Sequence, residues 1–139
     1  MILHQLAIGM MAISVTVAIH AGFMGVAARF GRRTTRLPRR PVTKALAVIA
    51  VVMWFFLSIC AQCWIWAMLL IGLGAIGGIE EALYFTTVTF TTLGYGDVVL
   101  GPDWRLLGAF AATNGTIIVG WTTAMIFVAV QRVYGSSDR

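Results

Sequence analysis

Apolar positions fill three long runs of the chain, and its polarity is concentrated in the interruptions between them. No Asp, Glu, Lys or Arg occurs in residues 1–28, 45–79 or 106–131. Each run exceeds the ~20 residues that cross a bilayer as a helix. A helix over the whole of 45–79 would be about 52 Å long against a hydrocarbon core of about 30 Å, so that run must break. The cluster Gly72, Gly74, Gly77 and Gly78 supplies the break, because glycine weakens helix interiors and permits turns. The pattern predicts membrane helices over 3–28, 44–71 and 104–130.

Composition strengthens that picture. Hydrophobic residues make up 60% of the chain and charged residues 11%, with a mean hydropathy of +0.91, more apolar than a soluble core of this size requires. The expected class is an all-α membrane protein with lipid as its surroundings. No basic residue precedes the first apolar run and no soluble domain follows it, so it reads as a retained helix rather than a signal peptide. Within it, Ala18 with Gly22 and Ala21 with Gly25 have the spacing of small-residue faces for close helix packing, or simply reflect membrane composition.

Charge gives the orientation. Arg29, Arg32, Arg33, Arg36, Arg39, Arg40 and Lys44 lie in the link between the first two helices, which the positive-inside rule places in the cytoplasm. The N-terminus is then outside, residues 72–103 face outside, and the C-terminus is cytoplasmic. The arginine spacing is that of a voltage-sensing helix, but such a helix needs apolar residues between its charges. Gly31, Thr34, Thr35 and Pro38 stand there instead, which favours a solvated link in contact with anionic head groups. Cys60 and Cys63 lack further metal ligands nearby and read as packing residues. No cluster of nucleophile, base and acid suggests an enzyme, and nothing points to nucleic acid.

Between the second and third helices, residues 78–97 are too short and too polar for a full crossing, yet long enough to enter the membrane and return. Glu80 and Glu81 suit a helix N-terminus, predicting a pore helix over 79–91. Its C-terminal end would point partial negative charge toward the membrane centre and favour a cation. The returning strand, 92–97, is tolerable at that depth only where it lines a water-filled path. For the carbonyls of Thr92, Leu93, Gly94 and Tyr95 to aim at one axis, alternate residues must be left-handed, and Gly94 and Gly96 answer that need. Four such strands, with the Thr92 hydroxyls, would replace the hydration shell of a potassium ion.

The run TTLGYGD resembles the signature filter of the potassium channel family, with Leu93 where that signature has valine. The resemblance spans 44–130 and implies two membrane helices with a re-entrant loop per subunit. An extra helix stands in front, giving three transmembrane helices per subunit and a tetrameric pore with fourfold symmetry. The implied organisation is an N-terminal transmembrane helix (1–30), a basic linker (31–43), a pore domain (44–131) and a short tail (132–139). The pore domain divides into outer helix, pore helix 79–91, filter 92–97 and inner helix 104–131. The implied function is passive potassium conduction across the cell membrane, with potassium at Thr92, Leu93, Gly94 and Tyr95, Gly96 completing the filter, and no cofactor beyond the permeant ion. Three departures from the family bear on filter support. Leu93 changes packing behind the filter. Val88 stands where some members carry a glutamate that pairs with the aspartate after the filter, which leaves Tyr84 as the expected hydrogen-bond partner of Asp97. Tyr84 and Phe85 replace a pair of tryptophans, loosening the cuff around Tyr95. Two other readings remain: a weakly selective cation channel, and a non-conducting scaffold or accessory subunit.

In the inner helix, Thr116, Val119, Gly120, Thr123 and Phe127 form one stripe at helical spacing. It lines the pore, with Phe127 and Val130 at a gate, or it packs on the second helix. Gly115 resembles the family's inner-helix hinge, with Gly108 and Gly120 as competitors. Asn114 is expected to bond the pore helix. His4 and His20 read as pH sensors or as histidines satisfied by neighbouring helices. The residues after Gln131 predict no regulatory domain. Glu80, Glu81, Asp97 and Asp103 against Arg105 would concentrate cations at the outer entrance.

Overall fold

The structure, a computed structural model, describes residues 2–34 and 40–135. They form four helices, α1 Ile2–Thr34, α2 Pro41–Gly72, α3 Ile79–Phe90 and α4 Arg105–Gly135, and no strand. Three segments, Ile2–Arg29, Pro41–Gly72 and Arg105–Gly135, are long and apolar enough to cross a membrane. The chain is an all-α, multi-pass membrane protein.

The boundaries have local causes. Arg40 is extended (φ −68°, ψ 133°) and Pro41 occupies the first turn of α2, where its fixed φ fits and its missing N–H costs nothing. At the other end Gly74 takes φ +69°. The Ala75 N–H then reaches Leu70 O and the Gly74 N–H reaches Ile71 O, both at 2.9 Å, a Schellman closure that ends α2 inside the expected glycine cluster. The helix ends fall inside the bounds expected for the linker, 31–43. α1 continues to Thr34 and α2 starts at Pro41, because a single glycine costs only about 1 kcal/mol in a helix and the intervening residues are otherwise helix-compatible. Arg36 and Arg39 lie outside the described residues.

The short helix α3 is wedged between α2 and α4. Ala82 and Phe85 pack with Ala67 and Leu70 of α2, Leu107 of α4 and Leu100 of the returning segment. Deeper in, Trp66 and Phe90 pack with Cys63, Ala111, Ile118 and Ala12. Both cysteines are free, and Cys63 is buried in that second cluster. The Thr86 hydroxyl, which donates to Ala82 O at 2.9 Å, also lies 3.2 Å from Cys63 O and ties α3 to α2.

Helix α1 lies against α4 and α2. Its inner face is Gln5, Gly9, Ala12, Thr16 and His20, all buried and spaced three or four apart. Gly9 lies close against α4, where an added Cβ would fall 2.5 Å from the Phe110 ring. The small-residue pairs read from sequence lie elsewhere: Ala18, Ala21, Gly22 and Gly25 are exposed, and open space surrounds both glycines. They sit on the opposite side of the helix from the polar stripe that α4 and α2 cover. Asn114 is also corrected, because its amide donates to Thr16 Oγ1 of α1 at 2.7 Å rather than to the pore helix. Its position on α4 shares a side with Ala111 and Ile118, whose neighbours include Ala12.

Candidate functional site

The returning segment begins where α3 stops. Thr91 caps α3 and its N–H still reaches Thr87 O at 3.0 Å. The next N–H groups turn back onto the same helix end: Thr92 to Thr89 O at 3.1 Å, Leu93 to Val88 O at 3.0 Å, and Gly94 to Val88 O at 3.2 Å. In a trans peptide the carbonyl of one residue opposes the N–H of the next. Binding the Leu93 and Gly94 N–H groups to α3 therefore turns the Thr92 and Leu93 carbonyls away from α3, toward the open side of the subunit.

Backbone handedness alternates along this strand. Thr92, Gly94 and Gly96 have φ of 60°, 56° and 80°, while Leu93, Tyr95 and Asp97 do not share that region. Sequence reasoning anticipated the two glycines and missed Thr92, a residue that pays a steric cost there. Its N–H bond to Thr89 O holds it. All of residues 91–97 are exposed in the subunit, so the strand presents an uncovered edge of carbonyl oxygens and the Thr92 hydroxyl.

Tyr84 and Asp97 brace the far end. The Tyr84 hydroxyl donates to Asp97 Oδ2 at 2.6 Å, short enough to mark a charge-assisted bond. That bond holds the Asp97 carboxyl below its ordinary value and lifts the Tyr84 hydroxyl above its own. Between α3 and the strand is a cavity of about 240 Å³ bordered by Tyr84, Val88, Thr89, Gly94, Gly96 and Asp97. Phe85 also borders it, but its side chain is buried in the α2–α4 core and reaches Gly108. Tyr95 is 67% exposed in the subunit. Phe85 turns its side chain into the core, while Tyr84 bonds Asp97.

Val88 contributes through its carbonyl, which accepts two strand N–H groups; a side-chain reading of the sequence could not find it. Leu93 is 56% exposed and meets no core of its own chain.

On α4, Thr116, Val119, Gly120, Thr123 and Phe127 are all exposed, whereas Leu107, Ala111, Asn114, Gly115, Ile118 and Thr122 are buried. The stripe therefore does not pack on α2. Gly115 abuts the end of α3: a Cβ there would collide with the Phe90 carbonyl oxygen and lie 2.6 Å from Phe90 Cα. Glycine at this position lets the inner helix touch the turn from which the strand springs.

The set of polar residues between the three long helices, Thr16, His20, Ser58, Gln62 and Thr122, was legible only as isolated polar residues in apolar runs. Among the described residues no group of His, Cys, Asp and Glu is placed to hold a metal ion. A protein-family model described as ion channel matches residues 45–132, well over half of the chain. The match covers α2, α3, the strand and most of α4, and leaves α1 outside. Comparisons with curated proteins and with solved structures return no significant match.

Proposed function

The chain belongs to the ion channel family, and we propose that it is a potassium-selective member, working as a homotetramer in the cell membrane. One observation carries this reading. The alternation of positive φ at Thr92, Gly94 and Gly96, with the Leu93 and Gly94 N–H groups held by Val88 O, turns successive carbonyls outward from α3. One subunit offers one such edge, and encircling an ion takes several. Fourfold closure stacks rings of oxygen from Thr92, Leu93, Gly94 and Tyr95, plus the Thr92 hydroxyls. These rings stand in for water around a dehydrated potassium ion. Burying the exposed strand and the exposed α4 stripe in that closure gives both a common axis.

The path then runs from an acidic entrance through the strand to the α4 stripe. Glu80, Glu81, Asp97 and Asp103 are exposed at the entrance and raise the local cation concentration. Ions pass the Thr116–Thr123 side of the cavity and leave past Phe127 at the apolar end. By the positive-inside rule the basic segment 29–44 is cytoplasmic, which places the N-terminus outside and the C-terminus inside.

A second reading, a weakly selective cation channel, rests on the altered filter support, Tyr84 bonded to Asp97, Val88 in place of a carboxylate and Leu93 in place of valine. Reversal potentials of purified protein in planar bilayers separate the two. Under opposed sodium and potassium gradients the reversal potential should track potassium. A value near zero supports the second reading, and no current in any cation rejects both.

A further inference from the structure

His20 belongs to α1, the helix outside the family match, and its side chain is fully buried. It sits where the three long helices meet. Nδ1 lies 3.1 Å from Ser58 Oγ and 3.3 Å from Gln62 Nε2, both on α2. Nε2 lies 3.5 Å from Thr122 Oγ1 on α4. The rings of Phe55 and Trp121 flank it, with centroids at 5.9 and 5.2 Å. The groups that face His20 are therefore Phe55, Ser58 and Gln62 from α2 and Trp121 and Thr122 from α4, none of them charged.

The hydrogen positions follow from what each neighbour can do. The two hydrogens of the Gln62 amide face three acceptors, Ser58 O, Ser58 Oγ and Nδ1; with Gln62 donating to Ser58 and the Ser58 hydroxyl donating to Nδ1, the neutral ring carries its hydrogen on Nε2, toward Thr122. Gln62 Nε2 is further committed to Ser58, with Ser58 O at 3.1 Å and Ser58 Oγ at 3.2 Å. Its partner atom, Gln62 Oε1, is buried without any hydrogen bond.

A proton added at Nδ1 reverses that logic. Nδ1–H would then face the Ser58 hydroxyl and the Gln62 amide, both of which donate toward Nδ1 in the neutral arrangement. Rotation of the Ser58 hydroxyl alone gives Nδ1–H an acceptor but leaves Gln62 Oε1 unpartnered; turning the Gln62 amide over gives Oε1 both Nδ1–H and the Ser58 hydroxyl as donors, while the amide nitrogen leaves Ser58. Protonation thus exchanges one hydrogen-bonded arrangement of the α1–α2–α4 junction for another. We propose that His20 is an intramembrane proton-binding site whose occupancy resets, through turnover of the Gln62 amide, the hydrogen bonding that fastens α1 to α2 and α4. Thr122 precedes Thr123 of the exposed α4 stripe, so the reset reaches the helix that lines the proposed path. Imidazole is the side chain suited to such a switch in the physiological pH range.

The test uses the full chain in lipid nanodiscs and nitrogen NMR. Histidine occurs only at positions 4 and 20, so His4→Gln leaves one imidazole to observe. At pH 8 the His20 ring should show a bare Nδ1 and a protonated Nε2, and between pH 8 and 4.5 both should move to imidazolium positions. The Gln62 side-chain amide, identified by its loss in Gln62→Met, should shift with the same midpoint and stop shifting in His20→Gln. His20→Asn serves the same comparison where His20→Gln does not insert. A ring that never titrates, a hydrogen on Nδ1 at pH 8, or a titrating ring beside an unmoved Gln62 amide overturns the proposal. None of these readouts depends on ion flux, so they stand apart from the test of potassium selectivity.

Discussion

The Tyr84 hydroxyl and the Asp97 carboxylate, 2.6 Å apart, join the middle of α3 to the end of the returning segment. Because Asp97 is held below its ordinary value of 3.8, the bond is fully present above that pH and is lost as pH falls through the lower value of the folded protein. Because Tyr84 is held above its ordinary value of 10.0, the bond is lost on the alkaline side only as pH rises through the raised value. Tyr84→Phe removes the cause of the Asp97 shift. The acid limb of flux against external pH should then move to higher pH, with a severalfold lower plateau, measured as ion efflux from proteoliposomes. An unmoved acid limb would mean that Asp97 is held by something other than Tyr84.

Glycine at position 94 carries a φ of 56°. Alanine pays about 1–2 kcal/mol in that region, and in the proposed tetramer four copies share one pore. Since every 1.4 kcal/mol is about tenfold, Gly94→Ala should cut flux at least tenfold while helix content by circular dichroism stays unchanged. Nothing lies within 4 Å of an added Cβ, so steric collision inside the subunit does not contribute. Wild-type flux in this variant would remove the backbone argument for the conduction site.

Gly115 and Gly120 separate packing from hinging. An added Cβ at Gly115 meets the Phe90 backbone, whereas at Gly120 it meets nothing. Gly115→Ala should therefore destabilise by about 1–3 kcal/mol through overpacking, read as a lowered midpoint of thermal unfolding in detergent. Gly120→Ala should unfold as wild type does. Were hinging the only role of Gly115, its alanine variant would alter opening and leave the unfolding midpoint in place.

The Asn114 amide donates to Thr16 Oγ1 at 2.7 Å across the α1–α4 interface. Thr16→Val strands a buried donor, while Asn114→Leu removes that donor together with Asn114 Oδ1, which is buried without a partner. The double variant should thus lose less stability than the two single losses combined, by about 0.6 kcal/mol, the average for such bonds in membranes, and at most about 1.7 kcal/mol. A double-mutant cycle on unfolding free energy reads it directly.

These contrasts show where the sequence was informative. The three membrane helices were legible because uninterrupted apolar runs of that length have few other stable forms in lipid. The turn at Gly74 and the short helix from Ile79 were legible because glycine and the paired acids punctuate the chain there. The left-handed Gly94 and Gly96 were legible for the same reason, but Thr92 was hidden, since its conformation is imposed by the Thr89 and Val88 carbonyls and not by its own preference. Partner choice was the least legible part. Asn114 and His20 announce a need for hydrogen bonds, but Thr16, Ser58, Gln62 and Thr122 were assigned to them only once the helices were set side by side, because periodicity fixes a face and not its neighbour.

The α4 stripe gives the clearest test of how the subunits face one another. Phe127 is 62% exposed while Ile118 is fully buried, although both belong to one continuous helix. If fourfold closure brings Thr116, Val119, Thr123 and Phe127 to the axis, cysteines there meet pore water, whereas an exposed face turned to lipid meets none. In a Cys60→Ala, Cys63→Ala background, Thr123→Cys and Phe127→Cys should react with a small, charged, membrane-impermeant thiol reagent applied from the side of the basic segment. Reaction should block flux. Ile118→Cys should stay unreacted, and so should Phe56→Cys, a position 57% exposed on α2 and assigned here to lipid. Protection of 123 and 127 together with reaction at 56 would turn the subunit around and place the outer helix at the axis. Protection at all three exposed positions would put the whole stripe in lipid and leave the strand without a continuous water path, which the backbone geometry of residues 92–96 cannot tolerate at membrane depth.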